Sequence, residues 1–281
     1  MNVLEVKNLC KNYPAFRLKN VSFSLEPGKI TGFIGRNGAG KTTTLKSIFG
    51  FVHPDGGEIR FFGEPFAGHE TEVKGRVGYV AGGFDCYPRK KLKTIAGVTA
   101  PFYRGWNSAA YRRLLERFAL DEEKTPAQLS AGMRVKFALA LALSHGAELL
   151  LLDEPTSGLD PVSRDELLDI FLDLSAKGTT IFFSTHITSD LDKCADNILY
   201  LKQGRILASD RLSSFAESYR ILEIPGGGVP SSLGGKIAGL RRTKNGCTVL
   251  VKAADAQASG LPAKRADLEE IMVHLEREER I

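Results

Sequence analysis

The chain has 281 residues, room for one large domain and a small additional one. Apolar residues make up 43% and charged residues 25%, a globular balance from which a sizeable core is expected. The net charge of +5, from 38 basic and 33 acidic residues, is too small to argue for nucleic acid; a weakly basic face toward a membrane surface or a partner is equally compatible. The four cysteines, Cys10, Cys86, Cys194 and Cys247, are scattered without metal-ligand spacing, which points to a reducing, cytoplasmic compartment. The N-terminus lacks a signal-peptide pattern, and no apolar run approaches the ~18 residues that span a bilayer, so the chain is not expected to cross a membrane by itself.

Leu4 to Leu9 and Val21 to Leu25 alternate like strands, with Tyr13 in the connection between them. The Tyr13 ring could stack on an adenine face; the plainer reading is a half-buried loop tyrosine. Glu26-Pro-Gly-Lys29 is a turn signal, and Lys29 to Gly35 is a short apolar run that reads as a strand. It runs into Gly35, Arg36, Asn37, Gly38, Ala39, Gly40, Lys41 and Thr42, then Thr43 and a helical pattern. Strand, glycine-rich loop, Lys-Thr, helix is the context in which G-x-x-x-x-G-K-[ST] forms a phosphate-binding loop. Glycines lacking a Cβ let successive backbone N–H groups face one concavity, beside the positive end of the helix dipole. Lys41 would reach the β- and γ-phosphates, and the Thr42 hydroxyl is placed for Mg²⁺.

Gly56 to Phe62 and Val77 to Val80 read as further strands. A largely helical section follows, with apolar residues at helical spacing over Leu92 to Tyr103 and Ala109 to Phe118. Leu129-Ser-Ala-Gly-Met133 precedes a strong helix to Ser144. Ser130 there is an anion-contacting hydroxyl or a simple N-cap. Four leucines from Leu149 to Leu152 read as a strand buried on both faces, ending in Asp153 and Glu154. Ligands gather at the C-terminal edge of such sheets. Asp153 can bind Mg²⁺ there and Glu154 can polarise an attacking water; alone, the pair could equally be two solvated acids. Ser157-Gly-Leu-Asp160 is a loop, with Pro161 opening the next helix. Thr180 to Thr185 is a β-rich run ending at His186, a residue type that is more often structural but could meet a γ-phosphate. Asn197 to Ala208 has a hairpin pattern.

Composition shifts after about Tyr219, and Pro225 to Ser232 reads as a loop or linker. Arg220 to Ile224 and Cys247 to Val251 read as strands. Ala266 to Arg277 reads as an amphipathic helix with Leu268, Ile271, Met272 and Leu275 on one face.

Tyr13, the phosphate loop, Leu129 to Met133, Leu149 to Glu154, Ser157 to Asp160 and His186 occur in the order of the ATP-binding subunits of ABC transporters, which residues 1 to 215 resemble. The run Phe102-Tyr-Arg-Gly-Trp106-Asn resembles the subgroup serving bacterial exporters of the bacitracin and lantibiotic resistance kind. The resemblance implies an α/β P-loop NTPase of ABC type: a mixed, mainly parallel sheet, an ATP-binding domain over residues 1–216, a helical subdomain at about 84–147, and a small α/β appendage over 217–281.

The resemblance also implies ATP and Mg²⁺ as ligands. Tyr13 would be the adenine-stacking aromatic, Asp153 and Thr42 the Mg²⁺ contacts, Glu154 the general base and His186 the γ-phosphate switch. Asp160 would join the nucleotide-contacting set, and Ser130 and Gly132 would contact the ATP of a second copy in a homodimer sandwiching two ATP molecules. A separate transmembrane permease is the implied partner, with the chain on the cytoplasmic face of the membrane and no nucleic acid bound. The alternative is a non-transport ATPase clamping nucleic acid or the ribosome. Two departures stand out. Ala131 and Met133 replace the usual third and fifth residues of the signature Leu-Ser-Gly-Gly-Gln, and Gly82 stands where the family has a glutamine, a role Asp85 could share.

Overall fold

The computed structural model describes residues 1–81, 87–226 and 228–277. In chain order the elements are β1 (Leu4–Tyr13), β2 (Phe16–Leu25), β3 (Ile30–Ile34), α1 (Lys41–Ile48), β4 (Gly56–Phe61), β5 (Glu64–Pro65), α2 (Glu70–Arg76), β6 (Val77–Ala81), α3 (Leu92–Thr99), α4 (Ser108–Arg117) and α5 (Ala131–Ser144). Then come β7 (Leu149–Asp153), α6 (Pro161–Ala176), β8 (Thr180–Thr185), α7 (Thr188–Cys194), β9 (Asn197–Lys202), β10 (Arg205–Arg211), α8 (Leu212–Glu217), β11 (Tyr219–Pro225), β12 (Ile237–Thr243), β13 (Gly246–Lys252), α9 (Ala253–Ser259), β14 (Ala263–Arg265) and α10 (Leu268–Glu276). Gly82 and Asp85 lie outside the described residues.

The chain divides into two units. One comprises Met1–His186 with Lys193–Ser209; the other comprises Ile187–Asp192 with the chain from Asp210 onward. The first unit holds two sheets. β2-β1-β4-β5 is antiparallel, and β10-β9-β3-β8-β7-β6 is parallel from β9 to β6. Strands β1 and β2 are longer than their alternation suggests, because they pair up to a tight turn at Pro14-Ala15. Tyr13 is therefore the last strand residue, opposite Phe16, rather than a connection residue. The two sheets share one core, in which Phe23, Phe33 and Phe182 meet at centroid distances of 5.1–6.4 Å.

Strand β7 lies between β6 and β8, so both faces and both edges are covered, and Leu149 to Leu152 are fully buried. That is why four successive leucines stand there without alternation. Between β6 and β7 every regular element among the described residues is helical. Lys136 bonds Glu166 at 2.6 Å and Arg117 pairs with Asp173, tying α5 and α4 to α6.

The second unit is a four-stranded antiparallel sheet, β12-β13-β11-β14, with α9 and α10. Among the described residues, the chain after Pro225 connects two strands of the same sheet, β11 and β12, rather than two units. Asp267 caps α10 in a reciprocal box with Glu270, and Leu268, Ile271, Met272 and Leu275 are buried as their spacing predicts. Sequence periodicity did not reveal β12, whose burial is irregular and whose end is Arg241-Arg242-Thr243.

Candidate nucleotide-binding site

Strand β3 delivers the chain into the loop Gly35 to Gly40, and α1 begins at Lys41. Gly40 sits at the helix N-cap with φ +112°, a conformation that L side chains rarely adopt. Thr44 N–H makes the first intrahelical bond, to Gly40 O at 2.9 Å, so the amides of Lys41, Thr42 and Thr43 lie in the helix's first turn, ahead of any i−4 carbonyl. No acidic residue of the helix itself occupies that turn. The loop is held from behind. Gly204 N–H donates to Ala39 O at 3.0 Å, and a Cβ on Gly35 would lie 2.3 Å from Leu201 O.

Lys41 is 5% exposed. Its ammonium donates to Gly35 O at 2.7 Å and stands 3.1 Å from Glu154 Oε1. The other carboxylate oxygen of Glu154 is 2.8 Å from His186 Nδ1. Glu154 takes φ +51°, left-handed for a non-glycine residue. This turn separates it from Asp153, the last residue of β7. Asp153 Oδ1 accepts from Thr42 Oγ1 at 3.0 Å and from Ser184 Oγ at 2.8 Å.

A cleft of about 510 Å³ runs over this cluster. Tyr13, Phe16, Arg36, Asn37, Gly38 and Gly40 form part of its wall, and Lys41, Thr42, Thr43, Glu154, Ser157 and His186 complete it. It is an open trough with an aromatic end, Tyr13 being 40% exposed, and a cationic, amide-rich end. Those two ends suit a purine base and a polyphosphate. The paired hard oxygens of Thr42 and Asp153 suit Mg²⁺. Beside them Tyr79 stacks on Phe49 at 5.3 Å; burial, then the Asp153 charge, pushes its hydroxyl pKa up.

The structure thus brings together Tyr13, the phosphate loop, Asp153, Glu154 and His186. Ala39, within the loop, is buried. Ser130, Gly132 and Asp160 are not among the cleft-lining residues. Ser130 caps α5, its Oγ accepting from Met133 N–H at 3.2 Å. Asp160 caps α6 through Val162 and Ser163, and the Ser163 hydroxyl bond, then its amide, holds the carboxyl below its usual pKa. Gly132 faces Ser163 closely: a Cβ there would lie 3.4 Å from Ser163 Cβ.

Sequence reasoning missed Phe16 and Ser184. Phe16 lines the cleft, its ring set against Gly40, where a Cβ would be 2.4 Å from Phe16 Cζ. Neither residue type carries a signal by itself; both emerge only from strand register.

Residues 18–157 match the family model described as ABC transporter. The chain is 35% identical over 222 residues to the Nod factor export ATP-binding protein I of Burkholderia orbicola, covering 76% of this chain and 73% of that one. It is 32% identical over 209 residues to the bacitracin transport ATP-binding protein BcrA of Bacillus licheniformis, covering 73% and 68%. Among solved structures it resembles an ATP-binding subunit of an ABC transporter, with TM-score 0.68, 32% identity and coverage of 75% and 91%. It also resembles a dimeric ATP-binding cassette in a post-hydrolysis state bound to ADP and Pi, with TM-score 0.66, 25% identity and coverage of 74% and 98%. The chain belongs to the ABC transporter family, as an ATP-binding and ATP-hydrolysing subunit of a transporter.

Proposed function

We propose that this chain powers export through a separate transmembrane permease, docking at the cytoplasmic face of the membrane and cycling between an open pair and an ATP-closed homodimer. The observation that carries this reading is the convergence of Lys41, Glu154 and His186 within 3.1 Å contacts at the end of the buried strand β7. Export is favoured by the likeness to proteins named for Nod factor export and bacitracin transport. Among the described residues no helix is long and apolar enough to cross a membrane.

In this reading Tyr13 stacks on the base, and the amides of Gly38 to Thr43 with the Lys41 ammonium bind the phosphates. Thr42 and Asp153 would hold Mg²⁺, which would neutralise charge on the phosphate oxygens when bound. Glu154 orients the attacking water and accepts its proton, while His186 contacts the γ-phosphate; the His186–Glu154 hydrogen bond supports this pairing of roles. Ser130 and Gly132, at the start of α5, contact the ATP held by the second copy, and Asp160 contributes at the same interface. ATP contacted from both sides favours the closed pair, and cleavage of the γ-phosphate removes those contacts.

The test is light scattering of Glu154→Gln with and without ATP. This reading expects a doubling of mass with ATP and a loss of turnover of about 10²–10⁴-fold. A variant that stays monomeric with ATP contradicts the sandwich.

A further inference from the structure

Ser184 is fully buried in β8, opposite Asp153 in the parallel pairing of β7 with β8. Its single hydroxyl makes two bonds. It donates to Asp153 Oδ1 at 2.8 Å and accepts from the Glu154 backbone N–H at 2.9 Å. Two adjacent carboxylate residues are thereby held by one side chain from the neighbouring strand.

Both bonds bear on geometry that the site needs. Asp153 Oδ1 also receives the Thr42 hydroxyl at 3.0 Å, so one oxygen of this carboxylate takes two donors. A carboxylate pinned through one oxygen presents the other in a fixed direction. The Glu154 amide bond secures a φ of +51°, a left-handed backbone that an L residue keeps only when neighbours over-determine it. That turn aims Glu154 at Lys41 and His186. Alanine at 184 would leave a buried acceptor and a half-buried N–H without this partner.

We propose that Ser184 is a positioning residue, whose hydroxyl fixes the Asp153 carboxylate for a divalent cation and holds Glu154 in the turn that aims it into the cleft. The proposal rests on the assignment of Asp153 and Glu154 given above.

The experiment compares wild type, Ser184→Ala, Ser184→Thr and Asp153→Asn in the full chain. It reads Mn²⁺ affinity in the presence of ADP by electron paramagnetic resonance, which needs no turnover, beside kcat and KM for ATP. Ser184→Ala should weaken Mn²⁺ and lower kcat, each by about 10–100-fold, with KM moved by less than about threefold. Ser184→Thr, which keeps the hydroxyl, should restore both. Should Ser184→Ala not fold, Ser184→Cys, a near-isosteric weak donor, is read in its place and should show a smaller loss of the same kind. A hydroxyl serving only strand pairing would lower the melting temperature and leave Mn²⁺ affinity and kcat at wild-type values; that result overturns the proposal. If Asp153→Asn weakens Mn²⁺ while the Ser184 variants do not, the positioning role alone falls. If Asp153→Asn leaves Mn²⁺ affinity unchanged, the carboxylate assignment falls and the role of Ser184 with it.

Discussion

Lys41 Nζ stands 3.1 Å from Glu154 Oε1, at the mouth of the loop that gives Lys41 its carbonyl partners, Gly35 O and Arg36 O. The ammonium is nearly enclosed, so its charge is balanced by this carboxylate and by backbone dipoles. A phosphate arriving on Lys41 competes directly with Glu154. Lys41→Ala should therefore cost ATP affinity at least about 30-fold, the consequence of about 2 kcal/mol for truncating one partner of a buried charge pair. Fluorescent-nucleotide titration checks this, and unchanged affinity would remove the phosphate-loop assignment.

Two glycines of the loop differ in what they tolerate. A Cβ on Gly35 meets the Leu201 carbonyl at 2.3 Å, where backbone must move, whereas Gly38, at φ +82°, has open space around it. Gly35→Ala should cost about 3 kcal/mol, the upper end of overpacking. Gly38→Ala should cost about 1 kcal/mol, from its left-handed backbone alone. Urea midpoints order the two, and equal losses would contradict the packing role of Gly35.

Tyr13 closes the strand pair with Phe16 at the aromatic end of the cleft. Tyr13→Ala should weaken ATP by about 1–3 kcal/mol, and Tyr13→Trp should keep binding, because stacking needs a π-face rather than a hydroxyl. Isothermal titration separates these outcomes; equal affinity in Tyr13→Ala would return Tyr13 to a structural residue.

Acid should destabilise the fold through two buried histidines. Burial lowers the pKa of His145, against the Gly75 carbonyl bond that opposes it, and of His274, against the Glu270 carbonyl bond. With folded values below the 6.5 of the free side chain, the unfolded chain binds more protons as pH falls, so stability is complete above about pH 6.5 and is lost below it. Melting temperature at pH 7.5 and 5.5 checks the sign. His145→Gln should lose less between those pH values than wild type; an equal loss would contradict it.

Much of the cleft was legible because its residues are tied to local spacing. The phosphate loop is eight consecutive residues, and Asp153 ends, and Glu154 directly follows, a strand whose four leucines announce burial on both faces. His186 was legible only beside its neighbours. What escaped was set by pairing across strands. The register that puts Ser184 opposite Asp153 joins residues 31 positions apart, and the turn that puts Phe16 opposite Tyr13 hides in a sequence whose alternation is broken by bulges. In the second unit, β12 packs too irregularly for a period of two to show.

The most direct test of the central claim is the company the chain keeps on the membrane. Tagged Glu154→Gln, extracted from membranes in mild detergent with ATP present, should bring down one polytopic membrane protein in near-equal amount, and wild type without ATP should bring down less. Ribosomes or nucleic acid in that fraction, with no membrane protein, would contradict a transport role and favour a clamp built on the same ATP-driven dimer.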